Sequence, residues 1–288
     1  ARRAAGSMTE TPLGNDPKSD PVFESTVREG VCRLSRPETR WLSTGYAGGE
    51  SVADAAYLLS VPEGWDDVDV AGYVRRRRRA VGFGDGGSED DRNDGDRATS
   101  DRADDAPALL TGVSMRHARR ARFGPVEAIA TAGVSNPAAL PVPEQGRSDA
   151  RAEGGGQRVE GGTDGDRRHH GTVNVVVGTT RSLAPGALAN LVAVAAEAKA
   201  TTLLARTGFP GTTSDAILVG CDPDGEPAAF SGSATEVGSA ARACVRDALL
   251  AALASRYGDE EPPASVGDAE YGVVTDRQAR VDVVESEE

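Results

Sequence analysis

The sequence predicts a layered fold of the α/β or α+β class: a single domain whose central mixed sheet is packed by helices, with two polar inserts and disordered termini. Three observations carry that expectation. Short apolar runs of β-branched character recur along the chain, GTVNVVVG at residues 171–178 being the plainest. Two longer stretches, from Pro185 and from Thr235, place apolar residues at helical spacing. Strand patterns alternating with only a few helices are what a sheet covered by helices requires.

Taken in order, residues 1–20 are rich in Pro, Asp and Ser and read as disordered. One domain then spans residues 21–257. Residues 22–34 alternate loosely and predict one or two strands; residues 41–44 predict another, ending at the turn Gly45-Tyr46-Ala47-Gly48-Gly49. Residues 69–81 predict a helix carrying five consecutive arginines, Arg75 to Arg79. Five successive positions point all round a helix, so the run reads as mainly solvated. The insert near residues 84–106 holds nine acids and almost nothing apolar, which makes it a surface loop.

Strand character returns at 108–115 and 126–134, on either side of the basic stretch HARRARFG. A second polar insert, near 141–170, carries seven glycines and cannot build a core. Asn174 interrupts the valines of the next strand, and an amide placed there must find hydrogen bonds. Pro185 suits the first turn of a helix, and Gly208-Phe209-Pro210-Gly211 stops it. A loop, TTSD, leads to a strand at 216–221; with residues 228–231 that strand predicts a hairpin. The helix at 235–256 is capped by Ser233 or Thr235. Residues 258–288 set ten acids against two arginines and read as an acidic, disordered tail apart from a short strand at 271–275.

Charge and composition exclude several function classes. A net charge of −13 argues against nucleic acid and anionic membrane as partners, since both need basic surface. The acid excess with few lysines fits solvation in high salt. Cys32, Cys221 and Cys244 form neither a disulfide framework nor a zinc knuckle. With His117, His169 and His170 as the only histidines, no metal or other cofactor is expected. No apolar run reaches the roughly 18 residues of a membrane span, and cytoplasm is the expected location. A homo-oligomer is compatible with all of this.

The candidate chemistry centres on residues 185–215. Only two of the chain's 32 basic residues are lysines, Lys18 and Lys199. A lysine kept in an apolar helix, in a chain that elsewhere uses arginine, points to work needing a compact or tunable amine. Glu197 lies two residues away, about 200° round the helix, so the pair cannot enter one cleft together. His117 would have its cationic form disfavoured by Arg119, Arg120 and Arg122. Ser135 and Asn136 either bond their own backbone or reach a ligand. GFPGTTSD lacks the Gly-Lys-Ser/Thr ending of a P-loop and precedes a strand, which disfavours nucleotide hydrolysis.

Together GTVNVVVG, AEAKA, GTTSDAI, FSGSATEVG and TAGVSNP resemble the adenosylcobinamide amidohydrolases of archaeal cobamide salvage, over roughly residues 22–256. Ala196 stands where the family usually has a hydroxyl residue, and Thr213-Ser214 reverses its usual order. The resemblance implies hydrolysis of the amide joining a corrin propionate to aminopropanol, giving adenosylcobyric acid. It carries Asn174, Glu197, Lys199 and Asp215 over as catalytic, and Thr212, Thr213 and Ser214 as substrate-binding beside Ser135 and Asn136. Two schemes fit an amidase: Glu197 or Asp215 activates a water while Asn174 and loop amides hold the oxyanion, or Ser214 or a neighbouring threonine attacks with Lys199 as base. We expect Glu197 and the loop to act on water. A non-catalytic corrinoid or small-molecule binding module is the alternative.

Overall fold

The computed structural model describes residues 20–62, 65, 69–84, 106–142, 171–258, 260–269 and 272–284. The expected disordered N-terminus and nearly all of both polar inserts lie outside these residues.

Eight strands form the main sheet. They are β1 (Glu24–Arg28), β2 (Val31–Ser43), β3 (Gly49–Ser60), β4 (Ala108–Thr111), β5 (Arg119–Phe123), β6 (Val126–Ala132), β8 (Val173–Thr179) and β11 (Ala216–Cys221). Their order is β4-β3-β2-β11-β8-β6-β5, with β1 added to β2. The sheet is mixed: β8 and β11 run parallel, as do β3 and β4, and the other neighbours are antiparallel. A small sheet joins β10 (Gly211–Thr212), β7 (Pro137–Ala139) and β13 (Val273–Val274).

Helices α2 (Pro185–Thr207) and α3 (Glu236–Tyr257) cover one face. Beneath them Val173, Val175 and Val177 of β8 pack with Leu191, Leu203, Val245 and Leu249. Strand alternation turns Val176 to the other face, where it meets Trp41, Leu34, Leu58 and Leu218. Helix α1 (Val70–Ala80) closes a third cluster of Tyr57, Leu59, Val74 and Phe83. By length and composition α2 is the described helix that could cross a membrane, but it is packed as a core helix.

Local chemistry accounts for the boundaries. The Asp69 carboxylate accepts from Gly72 N at 2.8 Å and caps α1. Thr235, rather than Ser233, caps α3, its hydroxyl accepting from Gly238 N at 3.1 Å. Gly208 ends α2 at φ +78°, a left-handed conformation that favours glycine.

Two expectations need correction, and two strands were not anticipated. Residues 31–43 form one strand, because a bulge between Ser35 and Thr39 absorbs Pro37 instead of ending the pairing. Glu38, at φ +54°, is held there by its N–H donating to Asp54 at 2.8 Å. Residues 49–60, which carry no strict alternation, form β3, and over Ala55–Leu59 both of its faces are covered. Most of the basic stretch after His117 is strand β5, its edge position leaving arginines in solvent. Finally, β11 makes no hairpin: the short β12 (Pro227–Ala228) pairs parallel with β9 (Ser182–Leu183).

Candidate active site

The expected residues gather mostly at the edge where β8 and β11 begin. Asp215 immediately precedes β11, and four donors converge on its carboxylate. Val173 N donates to Oδ1 at 2.9 Å and Thr212 N to Oδ2 at 3.0 Å. The Thr212 hydroxyl and Lys199 Nζ complete the set. Lys199 and Asp215 are nearly buried, with side chains 12% and 9% exposed. Withdrawing two charges from water is costly unless they are paired and hydrogen-bonded, and this pair is both. Asp215 therefore fastens β8, β10, β11 and α2 at one point.

The close fit depends on Gly211. A Cβ there would lie 2.6 Å from Asp215 Oδ2 and 2.9 Å from Lys199 Nζ. The Gly-Phe-Pro-Gly stop thus does more than end a helix.

Between β10 and Asp215 the chain turns through Thr213 and Ser214, both exposed. The Thr213 hydroxyl accepts from Asn136 Nδ2 at 2.5 Å, and Thr213 N donates to Asn136 O at 3.2 Å. Ser214 Oγ lies 2.9 Å from the hydroxyl of Thr172, a residue the sequence alone did not single out. It stands just before the valine run, and its hydroxyl was the available signal. Asn136 is buried, and its Oδ1 has no partner among the described residues. Ser135 belongs to the same cluster: its Oγ and N stand 2.7 and 2.5 Å from where a Cβ on Gly171 would be.

Two expected residues are elsewhere. Asn174 shares the sheet face of Val176 and donates from Nδ2 to Leu110 O at 2.8 Å, on the side away from α2. Its Oδ1 and the hydroxyl of Thr131, its register partner on β6, are buried without partners among the described residues. Glu197 is on the outer face of α2, 60% exposed, and accepts from Arg242 of α3 at 2.9 Å. The 200° separation on the helix is realised: Lys199 turns to the loop and Glu197 to solvent.

His117 is also remote. Its Nε2 accepts from Arg116 at 2.9 Å and its Nδ1 lies 3.1 Å from Ser255 Oγ. Burial, then the Arg116 charge, hold its pKa below the usual imidazole value. Burial raises all three cysteine thiols, Cys244 to about 12, so none offers a thiolate near neutral pH. No three His, Cys, Asp or Glu side chains gather among the described residues to hold a metal ion.

Chemically, the edge offers a held ammonium, exposed hydroxyls and a buried amide, the donors that an acyl-transfer site uses. Comparison with known proteins identifies the family. A family model described as adenosylcobinamide amidohydrolase matches residues 94–261. A protein of Halobacterium salinarum named adenosylcobinamide amidohydrolase is 50% identical over 262 residues, covering 90% of this chain and 99% of that protein.

Proposed function

The chain belongs to the adenosylcobinamide amidohydrolase family, and we propose that it hydrolyses its amide substrate at the Thr213–Ser214 turn. The activity is amide hydrolysis in cobamide salvage. Water adds its oxygen to the carbonyl carbon, the C–N bond breaks, and a proton goes to the leaving nitrogen. The products are adenosylcobyric acid and aminopropanol.

Within this reading each group has a role. Lys199 is an ammonium with three donors, one engaged by Asp215; the others stabilise the oxygen as it gains charge. Asp215 is a positioning residue, its oxygens already taken by four donors. Thr213, Ser214 and Thr172 hold the attacking water and the amide, with Ser135 and Asn136 behind them. Glu197 no longer serves as the base, because Arg242 holds it on the outer face of the helix.

The observation that supports this reading best is the nearly buried ion pair whose carboxylate directly follows an exposed hydroxyl turn. It also disfavours Lys199 as a base for Ser214, since the amine faces a carboxylate. We further propose that the chain acts in the cytoplasm.

Incubation with adenosylcobinamide should release 1-amino-2-propanol, and Ser214→Ala should slow release by roughly 10- to 100-fold without ending it. Complete loss in the alanine variant, together with a corrinoid adduct on Ser214 of the unaltered chain, would show that the serine itself attacks.

A further inference from the structure

We propose that the basic stretch leading into β5, folded against the end of α3, binds the phosphoryl group of a small molecule through Arg116, Arg119 and Arg256. The three come from separate places: Arg116 from the 3-10 turn Met115–His117, Arg119 from the start of β5, and Arg256 from the last turn of α3. None of them belongs to the hydroxyl turn, and the proposal does not rest on the amidase reading.

Side-chain bonds draw the stretch and the helix together. Arg116 Nε donates to His117 Nε2 at 2.9 Å, His117 Nδ1 lies 3.1 Å from Ser255 Oγ, and Arg119 Nη2 donates to that same hydroxyl. One imidazole and one hydroxyl thus separate the Arg116 and Arg119 guanidiniums. Arg119 is fixed further, its Nη1 donating to the Arg116 and Ala118 carbonyls at 2.8 Å each. Arg256 follows Ser255 and lies over the Tyr257 ring at 5.4 Å. That ring is itself tied down, its hydroxyl accepting from Val134 N at 2.9 Å. All three charges bear on the His117 ring.

The arrangement calls for an anion. Like charges repel, and in a chain with 45 acids a carboxylate among them would be easy to place. Yet none bonds to Arg116, Arg119 or Arg256 among the described residues: their partners are a ring nitrogen, a hydroxyl, two carbonyls and an aromatic face. The negative end of α3 accounts for one cation in its last turn, Arg256, and not for the other two. Donors remain for a ligand. Arg116, exposed and held by Nε, keeps both of its Nη groups, and the exposed Arg256 guanidinium makes no hydrogen bond with the described residues. Guanidiniums match phosphate oxygens in pairs, and three positive charges suit a dianion better than a single carboxylate.

Calorimetric titration of the full chain with inorganic phosphate, AMP, adenosine and acetate tests the proposal. Phosphate and AMP should bind saturably and compete, acetate should bind more weakly by roughly tenfold or more, and adenosine should not bind. Tighter binding of AMP than of phosphate identifies a phosphomonoester as the ligand; equal binding identifies the free ion. Arg116→Gln and Arg256→Gln should each keep the fold by circular dichroism and weaken phosphate binding by roughly tenfold or more. Arg181→Gln, beside Glu236 at the opposite end of α3, should leave it unchanged. The His117 ring resonances should shift as phosphate is added. The proposal is overturned if neither phosphate nor AMP binds the folded chain, if acetate binds as tightly as phosphate or adenosine as tightly as AMP, or if the His117 signals stay fixed. It is overturned equally if Arg116→Gln leaves affinity unchanged or Arg181→Gln weakens it as much.

Discussion

The two sides of α2 carry opposite charges in opposite settings. On the inner side Lys199 meets Asp215 in a nearly closed cluster where the backbone of two strands also donates. On the outer side Glu197 meets Arg242 with both side chains largely in solvent, 60% and 42% exposed. The bond types are alike, but their surroundings are not. An exposed pair is screened and easily replaced by water, whereas a buried one ties several elements together. We propose that the reaction chemistry belongs with the inner pair, because a charge held in place and shielded from water acts more strongly on a neighbouring oxygen.

The contrast can be broken most severely at Asp215. Asp215→Ala would leave the Lys199 ammonium buried without its carboxylate, and should cost about 3–5 kcal/mol of stability and abolish turnover. Urea denaturation and aminopropanol release check both. Gly211→Ala should do less: its methyl group presses on the same two side chains, and we expect a loss of about 1–2 kcal/mol with turnover reduced roughly tenfold. The outer pair sharpens the comparison from the other direction. Glu197→Gln should change stability by less than about 0.5 kcal/mol and leave turnover within roughly twofold.

The smallest effect is expected from a group outside both pairs. The folded-state pKa of His117 is lowered, so the unfolded chain binds more protons as pH falls through the ordinary imidazole value. Stability should then decline as pH drops below about 6.5. His117→Gln should flatten that slope in denaturation curves at pH 7 and pH 6. An unchanged slope would assign the acid sensitivity to other groups.

Much of the fold is legible in the residues. Helical spacing marks α2 and α3, the valines mark β8, and the two-residue step from Glu197 to Lys199 sets them on opposite sides of any regular helix. Which of the two faces the reaction is not legible, because it depends on what lies across from each side. Glu197 has the more mixed sequence company, yet its neighbour in space is Arg242, 45 positions away. Asn174 teaches the same lesson: alternation assigns it to the face of Val176, and only the pairing of sheet strands shows that this face leads to Leu110, away from the hydroxyl turn. The break expected between residues 34 and 41 fails for a different reason, since Pro37 is absorbed by a bulge at which a neighbouring carboxylate holds the Glu38 N–H. Asp215 is identified by resemblance, but its four donors come from three separate segments and only the fold assembles them.

The most direct measurement is the turnover of adenosylcobinamide by Lys199→Met, with substrate binding followed in parallel. If the inner side of the helix faces the reaction, kcat should fall by roughly 100-fold or more while binding persists. A Lys199→Met chain that releases aminopropanol at the unaltered rate, beside a Glu197→Gln chain that does not, would place the chemistry on the opposite side of α2.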